Sequence, residues 1–336
     1  MAKVTLDDVA RAVGVSLATV DRVVNRRGGV SADKEAAILQ AARRLGLDRN
    51  LRVKPTLTKR IAILIQPPAN PFHDQLRRGI EQARAIHRDL NLLFQIEGID
   101  PTRPDRIAAQ IARAGTWADG MILTVPAAPQ IVTAIETLPA RIPVVTMADD
   151  VPTARRAAFV GPDDRQSGRV AGDLMGHLIG QAGGEALVLI GRFDMPGHGA
   201  RSGGFIDVLA ERHPGVRVAA VLETHEDKAT AAALALRAAR ANPDLRGIYL
   251  CSTGCSELVA SLAQVRQSRP IVLVTHELTP TRRALLKTRK VQAIIDQKPM
   301  LEARLAVETM AKLVGRLDGP AQSVATEIQI FMPESV

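Results

Sequence analysis

Two sets of side chains in this sequence have types and spacings suited to recognition chemistry. In the run VSLATVDRVVN, Asp21 and Arg22 stand together, one helical turn after Leu17 and Ala18. A guanidinium can fork onto the guanine acceptors of a DNA major groove, and a carboxylate can accept from the cytosine amino group. Asp21 has a second reading open to it, which is to orient Arg22 or to pair with Arg26 or Arg27. The other set follows a series of short apolar runs: Asn70, Pro71, Phe72 and His73; Asp149 and Asp150; Arg192; Ser252 and Thr253; His276 and Glu277; Asp296 and Gln297. An aromatic face among carboxylates, amides and hydroxyls suits a small polar ligand. Asn70-Pro71 also reads as an ordinary turn before a helix, and His73 as a solvated first-turn residue.

The elements that must carry the first set are helices. Leu6, Val9, Ala10 and Val13 fall on one helical face, and Thr5 with Asp8 has the capping-box spacing. Gly14 ends that helix. Ser16 caps a second one, whose inward face is Val20, Val23 and Val24 and whose opposite face is Leu17, Ala18, Asp21, Arg22 and Asn25. Ser31 caps a third, with Ile38, Ala41, Ala42 and Leu45 as its stripe. Two helices joined by so short a Gly-containing turn make a helix-turn-helix. Charge agrees, since residues 1–60 hold 13 Lys and Arg against 6 Asp and Glu, +7 of the formal +9. A basic surface confined to one segment suits a polyanion.

From Arg60 onward the apolar runs RIAILI, NLLFQI, GMILTV, PVVTM, ALVLI, VRVAAVL, GIYLC, IVLVT and VQAII alternate with helical stretches, with a crossover expected near 150–158. Such alternation predicts parallel sheets covered by helices on both faces, and about ten strands exceed one comfortable core. Ligands of open α/β sheets sit beyond the carboxyl ends of the strands, which is the rule that selects the second set.

The stretch VTLDDVARAVGVSLATVDRVVNRRGGVS resembles the DNA-binding head of the lactose-repressor and galactose-repressor family of transcriptional regulators, and the likeness continues through the chain. The resemblance implies a small all-α helix-turn-helix head at 1–46, a linker or hinge at 47–60, and at 61–336 an α/β core of two lobes like the periplasmic binding proteins, each built on a doubly wound parallel sheet. Lobe 1 is expected at about 61–156 and 289–318, lobe 2 at about 157–288 and 319–336. It implies that Leu17, Ala18, Asp21 and Arg22 face base edges, while Thr5, Ser16, Thr19, Asn25 and Ser31 hold phosphates. Thr5, Ser16 and Ser31 are helix caps on either reading, and Thr19 has a packing role open to it. In the cleft the family positions match Asn70, Phe72, His73, Asp149, Arg201, Ser252, Glu277 and Gln297. Arg201 would fork onto adjacent oxygens and Phe72 stack on an apolar ring face, and a surface ion pair is the plainer alternative for Arg201. Ala148 and Ser252 stand where sugar binders often carry Asp and Asn. Members usually have a hinge helix that enters the minor groove; here Pro55 interrupts it, restraining Lys54, and Leu51 and Leu57 are candidates for an inserted wedge.

The implied function is a sequence-specific regulator, a repressor, whose affinity for double-stranded operator DNA is controlled by a small effector such as a sugar or polyol. A cytoplasmic homodimer is expected. A dinucleotide-binding G-x-G-x-x-G turn, a P-loop, a nucleophile elbow and H-E-x-x-H do not occur, which argues against an enzyme. A transport-type binding protein is disfavoured by the basic head and by a start, MAKVTLDDVARAV, without an apolar leader. No cofactor and no metal are expected: Cys251 and Cys255 make at most half a zinc site, and His198, His213 and His225 lack ligand spacing.

Overall fold

The computed structural model describes residues 4–25, 27–47, 57–68, 70–153, 155–265 and 269–336, without the side chains of residues 32 and 43. The chain divides into a head that ends at Thr56 and a core that starts at Leu57. Of the linker residues singled out above, Leu51, Lys54 and Pro55 lie outside the described set, as does Arg26. Leu57 lies inside it and is 75% exposed.

Three helices make the head: α1 (Leu6–Val13), α2 (Leu17–Val24) and α3 (Ala32–Leu45). Thr5 and Asp8 form the reciprocal capping box of α1, and Thr19 donates its backbone N–H to Ser16 Oγ at the start of α2. Gly14 has φ 69°, the left-handed cap that turns the chain between the two helices at no Cβ cost. Val9, Ala10, Val20, Val23, Ile38, Leu39, Ala41 and Ala42 fill one small core.

The core contains strands β1 (Lys59–Ile65), β2 (Leu92–Gly98), β3 (Gly120–Leu123), β4 (Val144–Met147), β5 (Arg156–Pro162), β6 (Gly184–Ile190), β7 (Val216–Glu223), β8 (Leu245–Cys251), β9 (Val272–His276), β10 (Ala293–Asp296), β11 (Val324–Thr326) and β12 (Gln329–Phe331). Between them run helices α4 (Pro71–Ile86), α5 (Pro104–Ala114), α6 (Pro129–Glu136), α7 (Asp164–Ile179), α8 (Pro196–Arg212), α9 (Lys228–Ala241), α10 (Cys255–Leu262), α11 (Pro280–Lys287) and α12 (Pro299–Leu313). One sheet has the order β11-β5-β4-β3-β1-β2, the other β12-β10-β9-β8-β6-β7. All pairings are parallel except β10 with β12. Central strands such as β1 from Ile61 on, β3 and β4 are buried and almost wholly apolar because helices cover both faces, giving each sheet two buried layers. No described helix is long and apolar enough to cross a membrane.

The lobe boundaries differ from the expectation. Lobe 1 keeps β5, so its first segment runs to Pro162 and not to 156, and it receives β11 from the tail assigned to lobe 2. Strand β10, expected in lobe 1, pairs with β9 in the second sheet, while α12 packs against lobe 1 residues. The reason is local. The crossovers hold only one or two residues between elements and sit at 162–164, 296–299 and 326–329, between a strand of one lobe and the next element of the other. Apolar periodicity reports that a strand exists but not which sheet it joins.

Candidate functional site

In the head, the solvent side of α2 carries the five residues that periodicity placed there. Leu17 is 49% exposed, and Ala18, Arg22 and Asn25 are exposed, whereas Val20 and Val23 are buried behind them. Asp21 is held within the head. Its carboxylate accepts from Asn25 Nδ2 at 2.5 Å and from Arg27 Nη1 at 2.9 Å. Arg27 is one of the partners named for Asp21 in its second reading. Thr5, Ser16 and Ser31 flank helix N-termini on the surface; Thr5 and Ser16 act as caps, and the Ser31 carbonyl accepts from Glu35 N–H. Thr19 is half-buried, with its hydroxyl 2.8 Å from Ser16 Oγ. The arrangement presents a short exposed polar edge flanked by helix starts, whose backbone N–H groups are of the kind that can hold anions.

In the core, the carboxyl ends of both sheets face one cavity of about 330 Å³. All eight cleft residues selected from the sequence, Asn70, Phe72, His73, Asp149, Arg201, Ser252, Glu277 and Gln297, line it. Asn70 caps α4, accepting from Phe72 N–H at 3.0 Å, and reaches across the cleft to Glu226 Oε2 at 3.4 Å. Phe72 and His73 meet edge to face, 5.3 Å between centroids. Asp149 follows β4 after Ala148, whose φ of 65° turns the chain into the cleft. Glu277, at φ 61°, does the same after β9. A left-handed backbone at a non-glycine residue costs free energy, and such residues cluster at binding sites.

Arg201 organises the floor. It is buried, donating from Nε to Asp164 Oδ1 and from Nη2 to Gln297 Oε1, both at 2.7 Å. Gln297 in turn donates through Nε2 to Glu277 Oε1. Ser252 shares a 2.5 Å hydrogen bond with Thr224, and its carbonyl accepts from Arg282 at 2.8 Å. The surface ion pair weighed for Arg201 is thus replaced by a buried one.

Burial pushes the Asp149 carboxyl up to about 7, with Asp164 adding to the rise. Burial does the same to Glu226, against Arg282, and to Glu277, where Asp296 adds to it; both also reach about 7. Burial works against the Arg201 cation, but Asp164 together with Tyr249, Cys251 and Glu277 more than offsets it and the guanidinium is held above its usual range. Burial and Arg77 bring His73 down to about 3, and burial with Arg201 brings His198 to about 4. The cleft near neutrality therefore offers neutral imidazoles, a fixed guanidinium and three carboxyls that bind protons there.

Three buried polar atoms on this wall have no hydrogen-bond partner among the described residues: His73 Nδ1, His276 Nδ1 and Glu277 Oε2. The Tyr249 hydroxyl is 2.6 Å from His276 Nε2, leaving Nδ1 as the uncommitted ring nitrogen. Buried polar atoms without partners are rare in folded proteins, and these three belong to residues that line one cavity.

Other expectations resolve differently. Asp150 turns to Arg156 and Thr146, and Asp296 caps Leu278 and Lys298, so neither lines the cavity. Arg192 and Thr253 do line it. His198, set aside above for lack of ligand spacing, lines it too, with its side chain 14% exposed. Sequence reasoning missed Glu226, Arg282 and Asp164. Glu226 stands three residues beyond β7, so the strand-end rule applied to that edge strand would have found it. Asp164 opens α7, a helix with no clean apolar stripe to announce it.

Residues 61–317 match the periplasmic binding protein domain, and residues 5–50 match bacterial regulatory proteins of the lacI family. The chain is 32% identical over 123 residues to the ribose operon repressor of Halalkalibacterium halodurans, covering 36% of each chain. It is 25% identical over 227 residues to the HTH-type transcriptional regulator DegA of Bacillus subtilis, covering 66% of this chain and 65% of that one. A 90-residue match to catabolite control protein A of Priestia megaterium is 37% identical and covers 25% and 26%. Each match spans less than two thirds of the relative's length. Among solved structures, a glucose-galactose binding protein from Geobacillus stearothermophilus superposes with a TM-score of 0.74 at 22% identity, covering 84% of this chain and 99% of that one. A solute binding protein from Burkholderia graminis, in complex with D-arabinose, gives 0.73 at 22% identity, covering 84% and 98%. At such identities the structural likeness speaks for the fold.

Proposed function

The chain belongs to the periplasmic binding protein domain family through residues 61–317 and carries the head of bacterial regulatory proteins of the lacI family at residues 5–50, and from that premise we propose that it is a sequence-specific transcriptional repressor controlled by a small polyhydroxylated ligand. The observation that carries the reading is the joint presence, in one chain, of a basic helix-turn-helix head and a cavity walled by unsatisfied buried polar atoms. Supporting it are a relative named as a ribose operon repressor and a fold neighbour holding D-arabinose. Arg201 donates to adjacent hydroxyls through Nη1, the nitrogen not committed to Asp164 and Gln297. Asp149, Glu226 and Glu277 accept from or donate to the remaining hydroxyls, and Phe72 covers an apolar face of the ring.

Control is linkage between two sites. The protein acts as a cytoplasmic homodimer, whose two heads must meet half-sites about 34–36 Å apart along the DNA. The ligand binds two poses of the lobes with different affinity, and operator affinity changes by that difference and no more. A mobility shift on DNA upstream of the gene and its neighbours, run with and without D-ribose, D-arabinose and D-galactose, tests the reading. A specific shift that one sugar alters is expected. Equal retardation by a core lacking residues 1–56 would remove the head from the function, and a shift indifferent to every polyol would remove the ligand.

A further inference from the structure

We infer that Asp173, His177 and His213 form a binding site for a zinc-class divalent transition-metal ion, at the end of the α7–α8 helix pair and outside the cleft. Asp173 and His177 stand at i and i+4 on α7, one face of one helix. His213 is the C-cap residue of α8. Each offers one ligand atom, and the three atoms lie within 4.8 Å of one another. His213 Nε2 is 2.8 Å and His177 Nε2 3.8 Å from the same oxygen, Asp173 Oδ1. The two imidazoles are edge to face at 4.8 Å.

The position of His213 is built into the helix crossing. A Cβ on Gly176 would run into the His213 ring, so the glycine lets that ring lie against α7 between the two other donors. In a tetrahedral site with bonds of about 2.0–2.2 Å, donor atoms stand about 3.3 Å apart. His177 has a side chain 73% exposed and is free to rotate the short distance inward, while His213, at 15%, is already placed. The ion takes the place of the hydrogen bond between His213 Nε2 and Asp173 Oδ1, and the ring proton of the neutral imidazole sits on Nδ1, the nitrogen that does not ligate. Two imidazoles and one carboxylate, with the remaining position left to water, select zinc and its late first-row neighbours over magnesium or calcium. The nearby cation Arg169 is neutralised by Glu211 through hydrogen bonds of 3.0 and 2.6 Å. The sequence hid this site because the third ligand comes from a different helix.

The consequence is a clamp on α7 and α8, whose opposite ends carry Asp164 and Arg201. The full chain, stripped with a chelator, is titrated with zinc chloride by calorimetry and melted with and without the ion. One zinc per chain and a raised melting temperature are expected, with no response to magnesium. His177→Ala, at an exposed position, should keep the wild-type melting temperature in chelator, weaken zinc binding at least tenfold and erase the melting shift. Asp173→Asn should act in the same direction. A wild-type chain that does not respond to zinc, or a response that persists in His177→Ala or disappears in His198→Ala instead, would overturn the assignment.

Discussion

Replacing Glu277 with glutamine should stabilise the free protein at alkaline pH while destroying its ligand site. Glu277 is 4% exposed, and burial together with Asp296 raises its carboxyl from an ordinary 4.5 to about 7. Between those two values the folded chain holds a proton that the unfolded chain has released. A raised acid contributes stability that is complete below the unfolded pKa and is lost as pH climbs through the folded one. At pH 8 the carboxylate is ionised in a buried site, and keeping that charge there costs at most about 3 kcal/mol. Glutamine has no such charge, retains an oxygen that can accept from Gln297 Nε2, and makes no greater demand on the left-handed backbone. Urea unfolding followed by circular dichroism should give Glu277→Gln a higher midpoint than wild type at pH 8, by an amount that shrinks toward zero near pH 4.5. Equal differences at pH 5 and pH 8, or a variant that is less stable at pH 8, would refute the reasoning. Sugar affinity in the same variant should fall, since a carboxyl that can donate or accept has been replaced by a fixed amide.

Two other expectations follow from the site. Arg201→Ala should weaken effector binding by about 2 kcal/mol or more, from the loss of charge-assisted hydrogen bonds, while operator affinity without effector changes little; calorimetry showing an unchanged sugar affinity would take Arg201 out of the site. Asp21→Ala releases Arg27 from its 2.9 Å pair, so salt titration of DNA binding should show a slope steeper by about 0.9. An unaltered slope with preference lost at one base pair per half-site would instead make Asp21 a base reader.

Legibility followed the physical signal. Strands such as RIAILI and GIYLC were plain because a parallel strand covered on both faces is apolar at every position, and the residues after them inherit the cleft from topology alone. Helix α7 and strand β5 left no such mark. In RAAFVGP only part of the run is apolar, and in DRQSGRVAGDLMGHLI the packed face is a column of glycines, Gly168, Gly172 and Gly176. Each of these has Arg201, Phe205 with Val208, or His213 where its Cβ would stand. A helix that packs by lacking side chains escapes a search for apolar ones, although glycine at i, i+4 and i+8 is itself a readable sign of two backbones in close approach. Sheet membership of β10 and β11 was illegible for a different reason, since short crossovers can lead to either lobe.

Under the proposed function, those crossovers single out Arg201 among the cleft residues as the point at which the effector meets the frame. Its Nε bonds Asp164, which directly follows the crossover at 162–164. Its Nη2 bonds Gln297, inside the crossover at 296–299. The third crossover is tied to the same region, as Thr326 Oγ1 donates to Glu302 Oε1 at 3.2 Å, and Glu302 lies in the first turn of α12, just beyond Gln297. A guanidinium is planar, so both bonds keep their geometry only while the two crossovers hold one mutual orientation. An effector that engages Arg201 Nη1 fixes the plane of that fork. It thereby favours the lobe pose in which Asp164 and Gln297 both reach their partner, with a free-energy difference bounded by what those two charge-assisted bonds are worth, roughly 1.5–3 kcal/mol each. An ordinary allosteric coupling, about 5- to 150-fold in operator affinity or about 1–3 kcal/mol, lies within that bound, and it requires no contact between ligand and head.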